Sequence, residues 1–146
     1  MAKQYFSLVS AVYVFLVQED NILLLRRFQT GYEDGNYSVP AGHLDGEESV
    51  REAAIREAKE EAGITLTPSE LEFVHVMHRL APSRESVDWF FVVKQWEGEV
   101  TNCEPEKCDD LSWFPIHNLP SNTIPYILAA IQYWQDEIPF SEFGWE

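Results

Sequence analysis

Positive charge is scarce in this chain of 146 residues, in which 10 Lys and Arg residues stand against 25 Asp and Glu residues for a net charge of −15. Proteins that bind long nucleic acids neutralise phosphates with basic side chains, and anionic membrane surfaces attract basic proteins for the same reason. The composition therefore counts against both kinds of partner. A small phosphorylated substrate remains compatible with it, because bound cations can reverse the local potential of an acidic site.

Long apolar runs and cysteines are also few. No segment approaches the roughly 18–20 apolar residues that a membrane helix needs, and residues 9–17 lack the basic flank and cleavage site of a signal peptide. We therefore read that segment as a strand and expect a cytoplasmic protein. Cys103 and Cys108 could form a disulfide or supply half of a zinc site, but zinc would need two further ligands nearby. We expect ordinary reduced thiols.

The chain shows no internal repeat or linker, so residues 1–146 are expected to form one domain. Its hydrophobic fraction of 45% is sufficient for a core. Residues 47–62 and 124–134 have helical composition or amphipathicity. Segments typical of strands are 7–18, 22–27, 71–79, 87–97 and 111–114, with a short extended segment at 37–41. This order predicts an α+β or sandwich-like α/β/α arrangement.

The first predicted helix carries an unusual cluster of acidic side chains. At about 100° of rotation per residue, its alanines form a core-facing stripe, whereas Glu57, Glu60 and Glu61 stand at i, i+3 and i+4 on one adjacent face. Like charges at this spacing cost several tenths of a kcal/mol per pair. Hard divalent cations prefer oxygen ligands and would turn the repulsion into binding. A solvated acidic surface is the alternative interpretation.

The surroundings of this cluster resemble the signature of a known family. Residues 42–64 place Gly, Glu, Arg-Glu-apolar, Glu-Glu and Gly-apolar at fixed spacings, and this pattern resembles the Nudix box. The nine specified positions are filled by Gly42, Glu48, Arg56, Glu57, Ala58, Glu60, Glu61, Gly63 and Ile64. The resemblance implies a Nudix-type α/β/α sandwich with a mixed central sheet, in which the box forms a loop-helix-loop.

The resemblance also implies a chemistry for these residues. Nudix proteins hydrolyse a nucleoside diphosphate linked to a further group X. By analogy, Glu57, Glu60 and Glu61, with the backbone carbonyl of Gly42, would bind Mg²⁺ or Mn²⁺ and form the catalytic set. Glu57 or Glu60 would serve as the general base. Glu48 and Arg56 would form a structural pair that holds the loop against the helix.

Cationic and aromatic residues near the box are candidates for binding the substrate. We expect Arg26 or Arg27 to meet a phosphate and His43 to line the site, whereas Arg84 is expected to have a surface role. Several aromatic residues could stack on a nucleotide base, although core packing is the default expectation for most of them. These residues are Tyr5, Phe6, Tyr32, Trp89 and Phe90.

Further metal ligands could come from a later loop. Its acids, Glu104, Glu106, Asp109 and Asp110, are candidates, although solvated loop acids are the default. The remaining histidines form no persuasive ligand set, because His75 and His78 should face opposite sides of a strand and His117 has no obvious partner.

Within the hydrolase class, the short chain favours a MutT-like nucleoside triphosphate pyrophosphohydrolase. ADP-ribose, a dinucleotide or a capped RNA end remain open as substrates. Two other classes also remain open: a Nudix module that senses a nucleotide without cutting it, and an acidic interaction domain. A small nucleotide is the expected partner, with no long nucleic acid and no membrane. A homodimer is possible, since the aromatics Phe140, Phe143 and Trp145 could serve a dimer or pack back on the chain.

Overall fold

The computed structural model describes residues 2–146. Two α-helices and a short 3₁₀ helix lie among the strands: α1 (Val50–Ala62), the 3₁₀ helix (Pro68–Glu70) and α2 (Pro125–Gln135). The strands are β1 (Val9–Gln18), β2 (Asn21–Arg27), β3 (Tyr37–Ser38), β4 (Ala41–His43), β5 (Glu72–Ala81), β6 (Arg84–Val93), β7 (Cys108–Pro115) and β8 (Phe140–Phe143). Within the described residues, neither helix combines the length and apolarity required to cross a bilayer.

The strands form one mixed sheet in the order β3-β2-β1-β6-β5-β8, with β4 added beside β1 and β7 beside β2. The β1–β6 and β5–β8 pairs are parallel, and the other pairs are antiparallel. The long strand β1 stands at the centre, because its first eight residues pair with β6 and its last two with β2. This arrangement confirms the expected mixed sheet, in which β1 and β2 form a hairpin.

Each face of the sheet carries one helix. Alternate residues of β1 point to opposite faces: Val12, Val14 and Leu16 pack with the alanines of α1, whereas Tyr13 and Phe15 pack with α2. Two apolar layers therefore separate the sheet from the helices. The fold class is confirmed as α+β, an α/β/α sandwich.

Several element boundaries differ from the predicted ones. The β6 strand covers Arg84–Val93 rather than 87–97, because β5 and β6 meet in a tight hairpin at Ala81 and Arg84 and the chain turns outward after Val93. The α1 helix starts at Val50 rather than at residue 47, because Ser49 caps it. Between the two segments predicted as helix 47–62 and strand 71–79, Pro68 opens a 3₁₀ helix that was not predicted.

The C-terminal segment forms a strand that the sequence did not indicate. The four residues of β8 lie parallel to β5 at the edge of the sheet. Phe143 packs against the α2-side core, and the Trp145 indole N–H donates to the His78 carbonyl at 3.0 Å, whereas Phe140 stays 54% exposed. Phe143 and Trp145 thus pack back on the chain, and the possible homodimer stays a prediction.

Candidate active site

Both ends of α1 are fixed by hydrogen bonds. The Ser49 hydroxyl accepts from the Glu52 N–H at 3.1 Å, and the Glu52 carboxylate accepts from the Ser49 N–H at 2.8 Å. Gly63 ends the helix in the left-handed conformation, at φ +72°, as expected for a C-terminal cap. These caps set where the helix begins and ends, and thus which way its glutamates point.

The three box glutamates line one cavity of about 700 Å³. Glu57 is buried, Glu61 is partly buried, and Glu60 keeps half of its side chain exposed. The other lining residues are Leu25, Arg27, Thr30, Ala41, Glu104, Lys107 and Cys108. The structure therefore brings the predicted carboxylates together at a cleft rather than spreading them over a solvated surface.

The segment before α1 lies directly against these carboxylates. A Cβ atom placed on Gly42 would lie 1.8 Å from Glu57 Oε2, so no side chain fits at this position while Glu57 holds its place. The Ala41 N–H donates to Glu61 Oε2 at 3.0 Å. The β4 strand and α1 thus form the two walls of the acidic site.

Burial disfavours the ionised form of two of these carboxyls. It raises the pKa of Glu57 to about 7, although the neighbouring Arg56 acts in the opposite direction. Burial and then the charge of Glu57 raise the pKa of Glu61 well above its usual value, whereas the hydrogen bond from Ala41 lowers it. The nearby arginines therefore do not outweigh the effect of burial on these two carboxyls.

Arg56 is the hub of the ion pairs beside the cavity. Its guanidinium holds both oxygens of Glu48, at 2.8 and 3.1 Å, and its Nη2 donates to the His43 carbonyl at 3.1 Å. Its Nη1 reaches Glu57 at 3.1 Å and Glu60 at 3.4 Å. Arg56 lowers the pKa of Glu48. This geometry is that of a clamp between the loop and the helix.

The donor set fits a divalent cation, although the side chains are not yet arranged around one. Within residues 2–146, no group of three or more His, Cys, Asp or Glu side chains is already positioned to hold a metal ion. Arg56 instead forms salt bridges with Glu57 and Glu60. Glu61, by contrast, forms no salt bridge within the described residues, and a cation would supply the missing charge. Carboxylate and carbonyl oxygens are the ligands that Mg²⁺ prefers.

Only one of the two candidate strand arginines faces the cavity. Successive residues of a strand point to opposite sides, and Arg27 lines the cavity, with its Nε donating to the Tyr32 carbonyl at 2.6 Å and its Nη2 to Thr30 at 3.1 Å. Arg26 points away and pairs with Asp109 at 2.7 Å. The expectation that one of the two meets a phosphate therefore points to Arg27.

A second cavity of about 800 Å³ adjoins the first, because Arg27 and Ala41 line both. His43 lies here rather than among the glutamates, and burial followed by the charge of Arg84 lowers its pKa. Arg84 is exposed, as expected, but it also lines this cavity. The complete lining is Ala11, Tyr13, Arg27, Tyr32, Ser38, Ala41, Gly42, His43, Arg84 and Tyr126.

A buried polar network forms the floor of the second cavity. Arg79 donates from Nε to Asp88 at 2.6 Å, and the Tyr13 hydroxyl lies 3.3 Å from Asp88 and 3.4 Å from the Tyr126 hydroxyl. The Arg79 guanidinium also lies 3.8 Å from the centre of the Tyr126 ring. Sequence reasoning missed this network, because its members come from β1, β5, β6 and α2 and share no local motif.

The loop acids separate into different environments. Glu104 lines the first cavity, and its charge contributes to raising the pKa of Glu61. Asp109 pairs with Arg26, and Asp110 accepts hydrogen bonds from Tyr37 and Ser112. Of the four candidates, Glu104 is thus the one that lines the cavity with the box glutamates.

The cysteines and two of the histidines have structural surroundings. Cys103 and Cys108 are both free thiols, as expected. His75 lies fully buried between the Ile138 carbonyl and the Ser141 hydroxyl, at 2.6 and 2.7 Å, whereas His78 is partly exposed and contacts Glu85. The two histidines therefore occupy different environments and form no ligand pair.

Aromatic residues divide between the cleft and the core. Of the predicted stacking candidates, Tyr32 lines the second cavity, Phe90 is fully buried, and Trp89 is half-buried and bonded to Ser10. Tyr5 and Phe6 are exposed and belong to neither cavity of the cleft. Tyr13 and Tyr126 are the cleft aromatics that sequence reasoning missed.

Comparison with known proteins agrees with the site. A family model described as "NUDIX domain" matches residues 7–133. The NAD-capped RNA hydrolase NudC of Stutzerimonas stutzeri is 30% identical over 81% of this chain, which spans only 41% of that protein. The 8-oxo-dGTP diphosphatase of Escherichia coli is 26% identical over 79% of this chain and 85% of its own length.

Solved structures show the same fold. A MutT NUDIX hydrolase from Burkholderia pseudomallei superimposes with a TM-score of 0.78 at 26% identity, covering 85% of this chain and 95% of its own. A MutT protein from Methanosarcina mazei gives a TM-score of 0.77 at 20% identity, covering 88% and 94%.

Proposed function

The chain belongs to the Nudix hydrolase family, and we propose that it hydrolyses a phosphoanhydride bond of a nucleoside triphosphate, releasing pyrophosphate and a nucleoside monophosphate. One observation carries the proposal: Glu57, Glu60 and Glu61 line a single cavity together with the phosphate-binding candidate Arg27. This cavity places oxygen ligands and a guanidinium side by side, as the hydrolysis of a polyphosphate requires.

We propose Mg²⁺ or Mn²⁺ as the cofactor, held by Glu57, Glu60, Glu61 and the backbone carbonyl of Gly42. When bound, a divalent cation neutralises phosphate oxygens and makes an adjacent water more acidic. Glu61 supports this assignment, because burial raises the pKa of its enclosed carboxyl and it forms no salt bridge within residues 2–146. Glu104 is a further candidate ligand from the facing loop.

The protein's own side chains supply binding and proton transfer. Glu57 or Glu60 accepts a proton from the water as its oxygen attacks phosphorus, and the P–O bond to the leaving phosphate breaks. Arg27 binds phosphate oxygens at the junction of the two cavities. Arg56 and Glu48 act as the structural pair that keeps the loop and the helix together. His43 lines the nucleoside side of the cleft.

The similar proteins favour a small nucleotide as substrate. The alignment covers 85% of the Escherichia coli 8-oxo-dGTP diphosphatase but only 41% of the NudC relative. In the second cavity, tyrosines offer stacking surfaces for a nucleoside. ADP-ribose or a dinucleotide is the second candidate, because a solved ADP compounds hydrolase is similar at 26% identity, with a TM-score of 0.69 over 88% of this chain and 71% of its own.

A nucleotide sensor is the alternative within the fold. It would need no complete set of box carboxylates, whereas this chain retains all of them within one cavity. A Glu57→Gln variant separates the two functions. The enzyme proposal expects hydrolysis to collapse while nucleotide binding and the fold persist; binding without hydrolysis in the wild-type protein would favour the sensor.

The test is a screen with product identification. Nucleoside triphosphates, nucleotide sugars, dinucleotides, ADP-ribose and a capped RNA oligonucleotide are incubated with Mg²⁺ or with a chelator. We expect release of pyrophosphate and a monophosphate from a triphosphate, abolished by the chelator. Hydrolysis of ADP-ribose or dinucleotides alone would shift the assignment to the second candidate, and hydrolysis of none would contradict the proposal.

A further inference from the structure

The two ends of the cleft differ sharply in charge. Four glutamates line the first cavity, whereas the ten residues lining the second include no Asp or Glu and contain Arg27, His43 and Arg84. This exclusion is notable in a chain with 25 acidic residues and only 10 basic ones. Such a concentration of donors favours an anionic group on the ligand at this end.

Arg84 is the arginine available to bind such a group. Within residues 2–146, its side chain forms no hydrogen bond or salt bridge to the protein, although acidic residues are abundant in the chain. Each of the other five arginines has a protein partner: Asp109 for Arg26, Tyr32 and Thr30 for Arg27, Leu71 for Arg51, Glu48 for Arg56 and Asp88 for Arg79.

Neighbouring acids do not neutralise Arg84. It is the first residue of β6, directly after the hairpin turn, and the next residue, Glu85, contacts His78 instead at 2.6 Å. Asp88 lies fully buried beneath the cavity and is paired with Arg79. Arg84 and His43 both line the second cavity, whose lining includes no acidic residue. The two side chains therefore present hydrogen-bond donors to a ligand in that cavity.

We propose that Arg84, assisted by His43, binds a phosphate group on the ribose of the nucleoside half, separate from the phosphates that react. The inference rests on the proposed function, since it places the reacting phosphates at the glutamate end. Arg27 serves that end, because it lines both cavities, whereas Arg84 lines only the second of the two. A guanidinium fork matches phosphate oxygens in a bidentate manner.

The substrate class that follows is a nucleotide with a phosphomonoester on its 2′ or 3′ ribose oxygen. Its nucleoside would lie between the tyrosines of the second cavity, with the extra phosphate reaching toward the hairpin. Plain nucleotides would still enter the cleft, but they would leave Arg84 without a ligand. Arg84 is thus a residue that determines specificity and takes no part in the reaction.

Calorimetry with product-like ligands tests the proposal without relying on turnover. Adenosine 3′,5′-bisphosphate, adenosine 2′,5′-bisphosphate and AMP are titrated into wild-type protein, Arg84→Ala, Arg84→Lys and the control Lys94→Ala, which removes an exposed charge outside both cavities. We expect wild-type protein and the control to bind at least one bisphosphate about tenfold more tightly than AMP. Arg84→Ala should abolish that preference, and Arg84→Lys should keep part of it.

Equal affinity for AMP and both bisphosphates, or a preference that survives Arg84→Ala, would overturn the inference. So would a failure of both bisphosphates to bind. The Glu57→Gln variant keeps this result separate from the proposed function, because it should lose hydrolysis of a nucleoside triphosphate but retain the bisphosphate preference. Loss of the preference alone leaves the hydrolase proposal standing.

Discussion

Gly42 leaves the space that the Glu57 carboxylate occupies, since a methyl group at residue 42 would overlap that carboxylate. Gly42→Ala should therefore displace Glu57 while leaving both sheet and helix intact. We expect hydrolysis to fall by about 100-fold or more, as happens when a catalytic group is misplaced by about an ångström. Steady-state kinetics, with circular dichroism as the check on folding, measures this effect.

Gly46→Ala is the matched control for that variant. Gly46 lies in the same loop at φ +90°, so alanine is strained there, but nothing lies within 4 Å of the added methyl. The control should lose some stability and keep its activity. Equal activity losses in the two variants would contradict the role given to the Gly42–Glu57 contact.

The Arg79–Asp88 pair is a stability determinant rather than a member of the acidic site. Asp88 is fully buried and Arg79 is 5% exposed. Arg79→Met would leave a buried carboxylate without its partner, which costs about 3–5 kcal/mol. Urea denaturation should show that loss. Arg26→Met is the control, because it breaks the exposed pair with Asp109, and such pairs are worth roughly 0–1 kcal/mol.

The α1 helix combines structural and chemical roles within one element. Its apolar face and the adjacent positions of its glutamates follow from local sequence and were predicted, whereas its start was placed at residue 47 because the Ser49 cap was missed. The burial of these glutamates was not predictable from the helix alone. Glu57 and Glu61 are enclosed because β4 lies across them, and that contact depends on how the strand pairs with β1.

Burial of Glu57 links the stability of the metal-free protein to pH. The pKa of Glu57 is raised from 4.5 to about 7 in the folded state, mainly by burial. The folded state therefore binds a proton more tightly, and this contribution to stability is present below 4.5 and is lost as pH rises through about 7. Wild-type protein should lose stability relative to Glu57→Gln over that range.

Urea titrations of both proteins across this pH range, without divalent ions, measure the difference directly. Saturating Mg²⁺ should reduce the deficit of the wild-type protein at high pH, because the cation stabilises the ionised carboxylate. A Glu57→Gln variant that is increasingly less stable than wild type as pH rises in the metal-free state would contradict this electrostatic account.

The elements that were missed or misplaced depend on contacts distant in sequence. The β8 strand has only four residues and follows Pro139, so it lacks a local strand signal; its stability comes from parallel pairing with β5 and from His75 bonding to Ser141. The position of Arg84 likewise depends on the β5–β6 hairpin, in which it pairs with Ala81. Local patterns cannot specify such juxtapositions.

At the scale of the whole molecule, the net charge of −15 is unevenly distributed around the cleft. Acidic residues dominate the chain, yet the cleft passes from a glutamate end to a cationic end lined by Arg27 and Arg84. Composition alone left a small phosphorylated ligand open and counted against a long polyanion. The polarity of the cleft could not be predicted, because its lining comes from six strands, both α-helices and two loops that are distant in sequence.

The central claim is that the three glutamates of α1 form a divalent-cation site on which the hydrolysis depends. Titration of Mn²⁺ followed by electron paramagnetic resonance tests it most directly, with wild-type protein beside the triple variant Glu57→Gln, Glu60→Gln and Glu61→Gln. The control triple variant changes Glu97, Glu99 and Glu142, which are exposed and lie outside both cavities, and so alters the net charge equally. Saturable Mn²⁺ binding in the wild-type and control proteins, lost only in the α1 variant, is the predicted result. Undiminished binding in the α1 variant would contradict the claim.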